Sequence, residues 1–463
     1  MSPLSGPKTP ALSAAFRTVG CRLNQCETAQ MQEGLAAEGY QVVDWRDRAD
    51  VRVVNTCTVT GKSDRTCRHE IHAAKRLDPA CFLVVTGCLA QIDPESVAAM
   101  PEVDLVLGNP QKSELASSLA TALATRARGA TDAANKAAEV VVSAPTDDWG
   151  SGAGVFTRFH GRTRAFLKVQ TGCDSRCAYC IVPLARGPAR SMPAALVQEH
   201  TRSLSKNGYR EVVLTGIDLG GWGKDSGEGS LADLVRMLLT DSPVGYTPLG
   251  RLRLSSVEPL EVTPALLDAV QDAGDRVAHH LHLPLQSGAD SVLRRMARPY
   301  SAAQYLAVAR EVAGRFPEMA LGADVIVGFP GETEDEFQAT LDLVEASPLA
   351  YLHVFAYSDR PGTAAQTMEP KITPEVIKER SARLRALGAR KKESFRDRLT
   401  GSRQRVLVLE EQSPDGLLVG LTGNYMEVLV DHDDTLPNRF VQVSLDRPLS
   451  DGRWETTLLE REA

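Results

Sequence analysis

The sequence predicts an α/β multidomain protein with an N-terminal parallel α/β domain, a central partial (β/α)6 barrel and a small C-terminal all-β barrel. The chain has 463 residues and 43% hydrophobic content, enough to bury more than one core. Short β-rich runs alternate with helical patterns over most of its length, as in parallel βαβ units. Beyond residue 400 the pattern changes to that of short antiparallel strands.

The first domain is expected at residues 14–122, where β-rich runs at 51–54, 82–85 and 103–107 alternate with helical patterns. The sequence then becomes rich in Ala and later in Ser and Gly. This composition is typical of a helix that is followed by a flexible linker. We therefore assign residues 123–158 to a linker.

The central domain is expected at residues 159–395, because six β-rich runs joined by long crossovers predict a parallel barrel or partial barrel. These candidate strands are 166–170, 211–215, 252–256, 280–284, 323–327 and 352–356. Four further runs predict a small β-barrel at residues 396–463. They are 405–409, 417–420, 426–430 and 440–445.

Composition limits the location and the partners of the chain. The first twenty residues lack the sustained apolar run of a signal peptide, and no 18-residue apolar stretch occurs, so we expect a cytoplasmic protein with no membrane partner. A net charge of −7 means that any RNA-binding surface must be a local patch.

One basic stretch is a candidate for such a patch. Residues 371–405 hold twelve Lys and Arg against four Asp and Glu. A run of this kind binds phosphates without reading sequence, although it could also be an ordinary solvated helix face. The acidic residues of the segment 431–434 would repel RNA locally.

Three closely spaced cysteines, Cys173, Cys177 and Cys180, follow a predicted strand directly. In a reducing compartment, clustered cysteines point to metal binding or catalysis rather than disulfides. Three thiolates would hold a [4Fe-4S] cluster and leave one iron open to a small molecule. A zinc knuckle is the alternative, but no fourth Cys or His lies beside them.

A second, dispersed triplet consists of Cys21, Cys57 and Cys88, each of which follows a short β-rich segment. Parallel pairing of these segments would bring the three thiols to one sheet edge, where they could ligate a second cluster. They could also be buried simply as small apolar groups. We interpret the remaining cysteines as structural; they are Cys26, Cys67 and Cys81.

The CxxxCxxC spacing resembles the radical S-adenosylmethionine (SAM) signature, and further motifs make the whole chain resemble the methylthiotransferases. The family has an N-terminal cluster domain, a radical SAM core and a C-terminal TRAM barrel. Apart from the cysteines, the matching segments are Val182–Gly187, Leu214–Ile217, Leu254–Pro259, His282–Gly288 and Asp324–Thr333.

The resemblance implies an oxygen-sensitive enzyme with two [4Fe-4S] clusters and SAM as cofactors. The cluster at Cys173, Cys177 and Cys180 would generate the radical, and the other would carry the sulfur that is methylated and joined to adenine C2. The implied partners are the anticodon stem-loop of tRNA and an electron donor such as flavodoxin or ferredoxin. The resemblance leaves the sulfur donor open.

Within the family, the segments 19–28, 55–60 and 355–363 look most like the branch that acts on N6-threonylcarbamoyladenosine at position 37 of tRNA. Two related substrates remain as alternatives: isopentenyladenosine in tRNA and an aspartate of a ribosomal protein. A noncatalytic iron–sulfur RNA-binding protein is the alternative from another class.

The resemblance also implies cofactor contacts at the ends of the barrel strands, where barrel sites gather. For each of them tight turns, capping or plain packing is the ordinary structural alternative. The adjacent histidines, His279, His280 and His282, are expected to pack or form hydrogen bonds rather than bind metal. The candidate SAM contacts are Tyr179, Thr215, Gly216, Ser256, Glu258, Gln286 and Gly328.

Overall fold

The computed structural model describes residues 12–462 except 129–137, 146–148, 150–158, 160–162 and 241–248. Within the described ranges, no helix has the length and apolarity needed to cross a membrane. The chain forms two compact units, which are described separately. The N-terminal unit comprises Met1–Arg158, Gly172–Asp174 and Cys180–Pro188, and the C-terminal unit comprises Phe159–Thr171, Ser175–Tyr179 and Ala189–Ala463.

The N-terminal unit is built on a parallel six-stranded sheet with the order β2-β1-β3-β4-β5-β6. Its central strands β3 and β4 are buried along their whole length, because helices cover both faces of the sheet. The elements of this unit are β1 (Ser13–Thr18), α1 (Arg22–Ala37), β2 (Gln41–Val43), β3 (Val51–Thr56), α2 (Gly61–Leu77), β4 (Phe82–Gly87), α3 (Cys88–Ile92), α4 (Pro94–Ala98), β5 (Leu105–Leu107), α5 (Leu115–Arg128), β6 (Glu139–Val141) and α6 (Val182–Arg186).

The sixth strand lies inside the segment 123–158, which the sequence predicted to be a linker. Helix α5 continues to Arg128, and β6 then pairs in parallel with β5, with Leu105 opposite Glu139. Strand β6 has only three residues, and they lie between Ala-rich and Ser-rich stretches. So short a run does not show the alternation by which a strand is recognised in a sequence. Much of the remaining expected linker lies outside the described residues.

The C-terminal unit contains two parallel three-stranded sheets, β11-β10-β7 and β12-β13-β14. Isolated bridges from Leu252 to Val277 and from Ser256 to His282 join the two sheets. The result is the predicted six-stranded partial barrel. Its elements are β7 (Ala165–Lys168), β8 (Gln170–Thr171), β9 (Arg190–Ser191), α7 (Ala194–Lys206), β10 (Glu211–Thr215), α8 (Leu231–Thr240), β11 (Arg251–Leu254), α9 (Pro264–Ala273), β12 (His280–His282), α10 (Asp290–Arg295), α11 (Ala302–Arg315), β13 (Ala320–Val327), α12 (Glu334–Ala346), β14 (Tyr351–Ala356) and α13 (Pro374–Leu399).

The chain ends in a closed five-stranded barrel with the order β15-β16-β17-β19-β18. The sequence predicted four of these strands and missed the last, whose Trp454 is fully buried in the barrel core together with Phe395 of α13. The strands are β15 (Arg403–Gln412), β16 (Leu418–Thr422), β17 (Glu427–Val430), β18 (Phe440–Pro448) and β19 (Trp454–Arg461).

A buried charge cluster ties this closed barrel to the partial barrel. Glu211 on β10 accepts hydrogen bonds from Arg251 (2.5 Å) and Arg253 (2.9 Å) on β11. The two guanidinium groups also donate to the carbonyl oxygens of Leu421 and Gly423. Burial alone would raise the pKa of Glu211, but the neighbouring guanidinium groups hold it well below its usual value.

Three arginines of the basic stretch form ion pairs within the C-terminal unit. On α13, Arg380 pairs with buried Glu332, Arg383 with Glu334, and Arg390 with Glu345. These pairs fix α13 against α12 and the turn before it. RNA contact by the other basic side chains of this stretch stays a prediction.

Candidate metal centres

The dispersed cysteines lie at the carboxyl ends of three neighbouring parallel strands. Cys21 follows β1 and caps α1, Cys57 follows β3, and Cys88 opens α3 after β4. Because β1, β3 and β4 are adjacent in the sheet, this pairing brings the three residues to one edge, as the sequence predicted. The thiol of Cys57 lies close enough to Cys88 and Cys21 to interact electrostatically with both.

Glycines before two of these cysteines let the loops approach closely. Gly20 has a φ of +101°, and a Cβ placed on it would lie 2.9 Å from the Cys57 sulfur. Gly87 has a φ of +100°, and its Cβ would lie 2.4 Å from the Thr56 carbonyl oxygen. A side chain at either position would force the cysteine loops apart.

The environment of Cys57 favours the protonated form of its thiol. Burial raises the pKa of Cys57 to about 11, with the nearby Cys88 and Cys21 thiols as lesser causes. Cys67 supports the same loop, because its thiol donates to the Cys57 carbonyl and its sulfur accepts from the Cys57 amide. Cys67 therefore has the structural role that the sequence suggested.

Two asparagines hold the cysteine loops in place. The Asn24 amide donates to the carbonyl oxygens of Val19 and Thr56, both at 2.9 Å, which fixes the residues just before Cys21 and Cys57. The Asn109 amide lies 3.7 Å from the Cys88 sulfur and donates over 2.8 Å to the carbonyl oxygen of Ala185. All three loops are thus bonded to neighbouring structure.

A buried ion cluster lies beside these loops. Glu27 accepts from Arg186 Nη1 at 2.8 Å and from Lys112 Nζ at 2.5 Å, and Arg186 also donates to Asn24 Oδ1 at 2.7 Å. The three charged side chains are 3–6% exposed, so their charges must be satisfied inside the protein. Arg186 is near enough to Cys21 and Cys88 to interact with them electrostatically.

The contiguous triplet lies on the loop that follows β8. In the N-terminal unit, the amide of Cys173 donates to the Gly187 carbonyl, and Gly172 lies so close to Pro188 that a Cβ there would be 1.7 Å from its carbonyl oxygen. In the C-terminal unit, backbone hydrogen bonds join Ala178 to Met296 and Ala365. Within the C-terminal unit, these bonds fix the residue that follows Cys177.

A buried arginine contacts Cys177. Nη1 of Arg298 lies 3.1 Å from the Cys177 sulfur, and Nη2 bonds to the carboxylate of Glu258. Burial raises the pKa of Glu258, and the charge of Arg298 opposes that shift. Glu258, a predicted SAM contact, is thus paired with the arginine that also contacts Cys177.

Thr215 and Gly216 lie at the end of β10, where the sequence placed them. The Gln170 side chain accepts from the amides of Ile217 (2.9 Å) and Asp218 (2.8 Å). A Cβ on Gly216 would lie 3.0 Å from Gln170, so this side chain already accounts for the close approach at the glycine. SAM contact by Thr215 and Gly216 stays a prediction.

Three other candidate contacts take part in internal bonding. Ser256 forms an isolated bridge with His282, and the backbone of Gln286, at a φ of 63°, bonds to Asp324 and Ile326. The Gly328 amide donates over 2.9 Å to the Glu332 carboxylate. That amide is therefore engaged within its own turn, and SAM contact by Gly328 stays a prediction.

His280 and His282 form side-chain hydrogen bonds, as expected, and His279 lies at ion-pair distance from Asp275. His280 Nε2 and His282 Nδ1 lie 2.7 and 3.2 Å from the Tyr351 hydroxyl, and His279 lies 3.6 Å from Asp275. His282 Nε2 also lies 2.9 Å from Asp324, a partner that sequence reasoning missed.

Sequence reasoning also gave no role to Asn24, Glu27, Asn109, Lys112, Arg186 or Arg298. Each acts through a partner that is distant along the chain. Arg186 and Glu27 are 159 residues apart, and Arg298 and Cys177 are 121 apart. The available signal was that Asn24, Glu27 and Arg186 lie in segments that resemble the family, 19–28 and Val182–Gly187.

Comparison with known proteins agrees with this arrangement. Residues 13–108 match the model of the uncharacterized protein family UPF0004, and residues 167–344 match the radical SAM superfamily. The chain is 36% identical to the threonylcarbamoyladenosine tRNA methylthiotransferase MtaB of Aquifex aeolicus over 90% of this chain and 96% of that protein. The chain belongs to the radical SAM methylthiotransferase family.

Of two further relatives, one carries the same name and one a different name. The MtaB protein of Bacillus subtilis is 34% identical over 94% of this chain and 93% of its own length. The tRNA-2-methylthio-N(6)-dimethylallyladenosine synthase of Methylobacillus flagellatus is 32% identical over 94% and 96%. The chain is thus a transferase similar to tRNA methylthiotransferases, and the radical SAM fold implies that it uses SAM and a [4Fe-4S] cluster.

Solved structures support the fold. The radical SAM methyltransferase TsrM of Kitasatospora setae, solved with cobalamin and a [4Fe-4S] cluster, matches with a TM-score of 0.56 and 17% identity over 77% of each chain. At this identity the likeness concerns the fold alone. It supports the assignment of residues 165–356 to a radical SAM partial barrel.

Proposed function

We propose that this methylthiotransferase converts N6-threonylcarbamoyladenosine at position 37 of tRNA into its 2-methylthio derivative, using SAM and two [4Fe-4S] clusters. The observation that carries the proposal is the placement of Cys21, Cys57 and Cys88 at one edge of three adjacent strands. SAM cleavage requires one cluster. The chain has two cysteine triplets, so the second triplet is available for another cluster.

The dispersed triplet fits a cluster in its donor chemistry. Three thiols can bind three of the four irons of a cubane, which leaves one iron for an exchangeable ligand. Gly20 and Gly87 provide the clearance between the loops, and Asn109 places an amide N–H near the Cys88 sulfur. Metal binding would replace the proton that burial now favours on the Cys57 thiol.

The contiguous triplet fits the SAM-binding cluster. Cys177 already accepts from Arg298, whose positive charge suits a thiolate bound to iron. Arg298 and Glu258 form a pair of opposite charges, which matches the carboxylate and ammonium groups at the amino-acid end of SAM. We assign these two residues, together with Tyr179 and the strand-end candidates Thr215, Gly216, Ser256, Gln286 and Gly328, to the SAM side of the site.

When bound, the two clusters and SAM supply the radical that activates adenine C2 and the methylated sulfur that joins it. The protein binds and orients these groups and shields them from water. Glu258 would hold the SAM amino group, and Arg298 its carboxylate. Asn24, Asn109 and Arg186 would keep the second site in place.

Several assignments follow from the names of the relatives. Five relatives at 33–36% identity are MtaB proteins, whereas three at 32–34% are dimethylallyladenosine synthases, which favours threonylcarbamoyladenosine over dimethylallyladenosine as the substrate. We assign the anticodon stem-loop as the RNA partner, flavodoxin or ferredoxin as the electron donor, and the closed C-terminal barrel, residues 396–463, to a TRAM-like role in RNA binding.

Iron and sulfide analysis of anaerobically purified protein tests the two-cluster proposal. About eight irons and eight sulfides per chain are expected for two cubanes. A value near four, or zinc in place of iron, would contradict it. The Cys57→Ala variant should hold about four irons, whereas the Cys81→Ala variant, which changes a buried cysteine at the opposite end of β4 from Cys88, should retain about eight.

Mass spectrometry of tRNA nucleosides tests the substrate. A deletion strain should lose the 2-methylthio derivative of N6-threonylcarbamoyladenosine and regain it with the wild-type gene. Loss of the isopentenyl derivative alone would identify the other tRNA substrate. Unchanged nucleosides, with loss of methylthiolation on a ribosomal protein, would instead favour the aspartate substrate.

A further inference from the structure

Three side chains in the partial barrel form a compact group outside the cysteine sites. His282 on β12, Asp324 on β13 and His353 on β14 each direct one nitrogen or oxygen atom toward the others, and these atoms all lie within 4.8 Å of one another. The three strands are neighbours in one sheet. Asp324 lies directly opposite His353, and His282 lies opposite Gly322, two residues before Asp324 on the same face.

Two donor–donor distances within this group match those between neighbouring ligands of a metal ion, and the third pair of donors, on His282 and His353, lies within 4.8 Å. His282 Nε2 lies 2.9 Å, and His353 Nδ1 lies 3.3 Å, from Asp324 Oδ1. Bonds of about 2.0–2.2 Å to a single ion place neighbouring donor atoms roughly 2.9–3.5 Å apart. The group can therefore exchange its hydrogen bonds for metal bonds with little movement of the side chains.

A second layer orients His282. The Tyr351 hydroxyl lies 3.2 Å from His282 Nδ1 and 2.7 Å from His280 Nε2, so the second nitrogen of His282 is engaged and Nε2 is directed at Asp324. Gly322 makes room for this tyrosine, since a Cβ there would lie 2.2 Å from the hydroxyl oxygen. Hydrogen bonds of this kind commonly fix the orientation of metal-binding imidazoles.

One side of the group is open. The side chain of His282 is 7% exposed, that of Asp324 is 27% exposed and that of His353 is 57% exposed. An ion bound by the three would be anchored from the buried side and would keep coordination positions on the exposed side. Two imidazoles and one carboxylate are the ligand set of mononuclear transition-metal sites rather than of magnesium or calcium sites.

We propose that His282, Asp324 and His353 bind a divalent transition-metal ion, with open coordination positions on the side of His353. The assignment does not depend on the second iron–sulfur cluster or on the RNA substrate. It adds to the chain a metal site that contains no cysteine, and for His282 it replaces the expectation from the sequence that this histidine does not bind metal.

Zinc binding to the anaerobically reconstituted holoenzyme tests this proposal, with zinc(II) titrated in competition with a chromophoric chelator. One zinc per chain is expected beyond any bound at cysteines. The His353→Ala and Asp324→Asn variants should weaken this binding by roughly a hundredfold or more. Loss of a residue that only orients a metal ligand already lowers metal affinity by about 10–100-fold. His353 is largely exposed, so its replacement should leave the fold intact.

The His279→Ala variant is the matched control, because His279 is a neighbouring histidine that pairs with Asp275 away from the group. It should bind zinc as the wild type does. X-ray absorption at the zinc edge should show only nitrogen and oxygen ligands. Equal zinc binding by the wild type and the His353→Ala and Asp324→Asn variants, or a sulfur shell around the zinc, would overturn the proposal and leave a purely hydrogen-bonded group.

Discussion

The guanidinium of Arg298 donates to the sulfur of Cys177 over 3.1 Å, so a fixed positive charge lies against one proposed cluster ligand. A cationic hydrogen bond stabilises a reduced cluster, which carries more negative charge than the oxidised one. We therefore expect Arg298→Met to make the reduction potential of the radical SAM cluster more negative. A tenfold fall in the reduced fraction at fixed potential corresponds to about 59 mV for one electron.

Redox titration followed by electron paramagnetic resonance measures this shift, in a Cys57→Ala background that simplifies the spectrum. Arg298→Lys keeps the positive charge, so it should shift the reduction potential less than Arg298→Met does. Arg295→Met is the matched control, since Arg295 lies nearby in the sequence and pairs with Glu336 instead. An unchanged potential in Arg298→Met would show that the contact has no electrostatic effect on the cluster.

The two triplets should fail in different ways. Cys177→Ala is expected to abolish formation of 5′-deoxyadenosine, because SAM would lose its cluster. Cys57→Ala should keep some SAM cleavage but lose the methylthiolated product. Chromatographic assays of both products check this division of labour, which would be wrong if each variant behaved like the wild type.

Glu27→Gln should impair the dispersed site while sparing the fold of the sheet. The substitution removes the carboxylate that binds Arg186 and Lys112, and leaves those two buried cations poorly compensated. We expect iron content to fall from about eight toward four per chain, with SAM cleavage retained. Arg17→Gln, which breaks an exposed ion pair with Glu70, should leave iron content unchanged.

The charge cluster under the closed barrel should dominate the stability of the C-terminal unit. Glu211→Gln leaves Arg251 and Arg253 buried without their shared carboxylate, a change that typically costs about 3–5 kcal/mol. Denaturant unfolding should show this loss, whereas Glu393→Gln on the exposed face of α13 should be nearly neutral. Equal stability of both variants would mean that the arginines find other partners.

His200 should make stability depend on pH. Burial lowers the pKa of His200 from 6.5 to about 4, so between these values the unfolded chain binds a proton that the folded chain does not. The stabilisation is fully present above pH 6.5 and is lost as pH falls toward 4, by up to roughly 3 kcal/mol. Between pH 7 and pH 5, the free energy of unfolding measured with urea should fall less for His200→Gln than for the wild type. His279→Gln is the control. If His200→Gln lost as much stability as the wild type, His200 would not be the cause.

The sequence revealed the features that follow local patterns. Cys21, Cys57 and Cys88 could be placed at one sheet edge because parallel strands end on the same side. The strands of the partial barrel were visible as apolar runs. By contrast, β6 is only three residues long and lies in a stretch of low complexity, so no periodicity marks it.

The supporting side chains could not be found in the same way. Arg186 and Arg298 contact their partners only because folding brings distant segments together. Neither the Arg186–Glu27 pair nor the Arg298–Cys177 pair has a fixed sequence spacing that could be recognised beforehand. The same holds for Asp324 and His353, which face each other only because β13 and β14 are paired in one register.

The grouping of Cys180–Pro188 with the N-terminal unit limits how this protein can be divided. Arg186, from this nine-residue segment, completes the interior around Glu27, yet it is encoded after the start of the barrel. A fragment that stops at residue 158 would be missing a piece of its own core. Any recombinant exchange of the first domain between relatives would have to carry this short downstream segment with it.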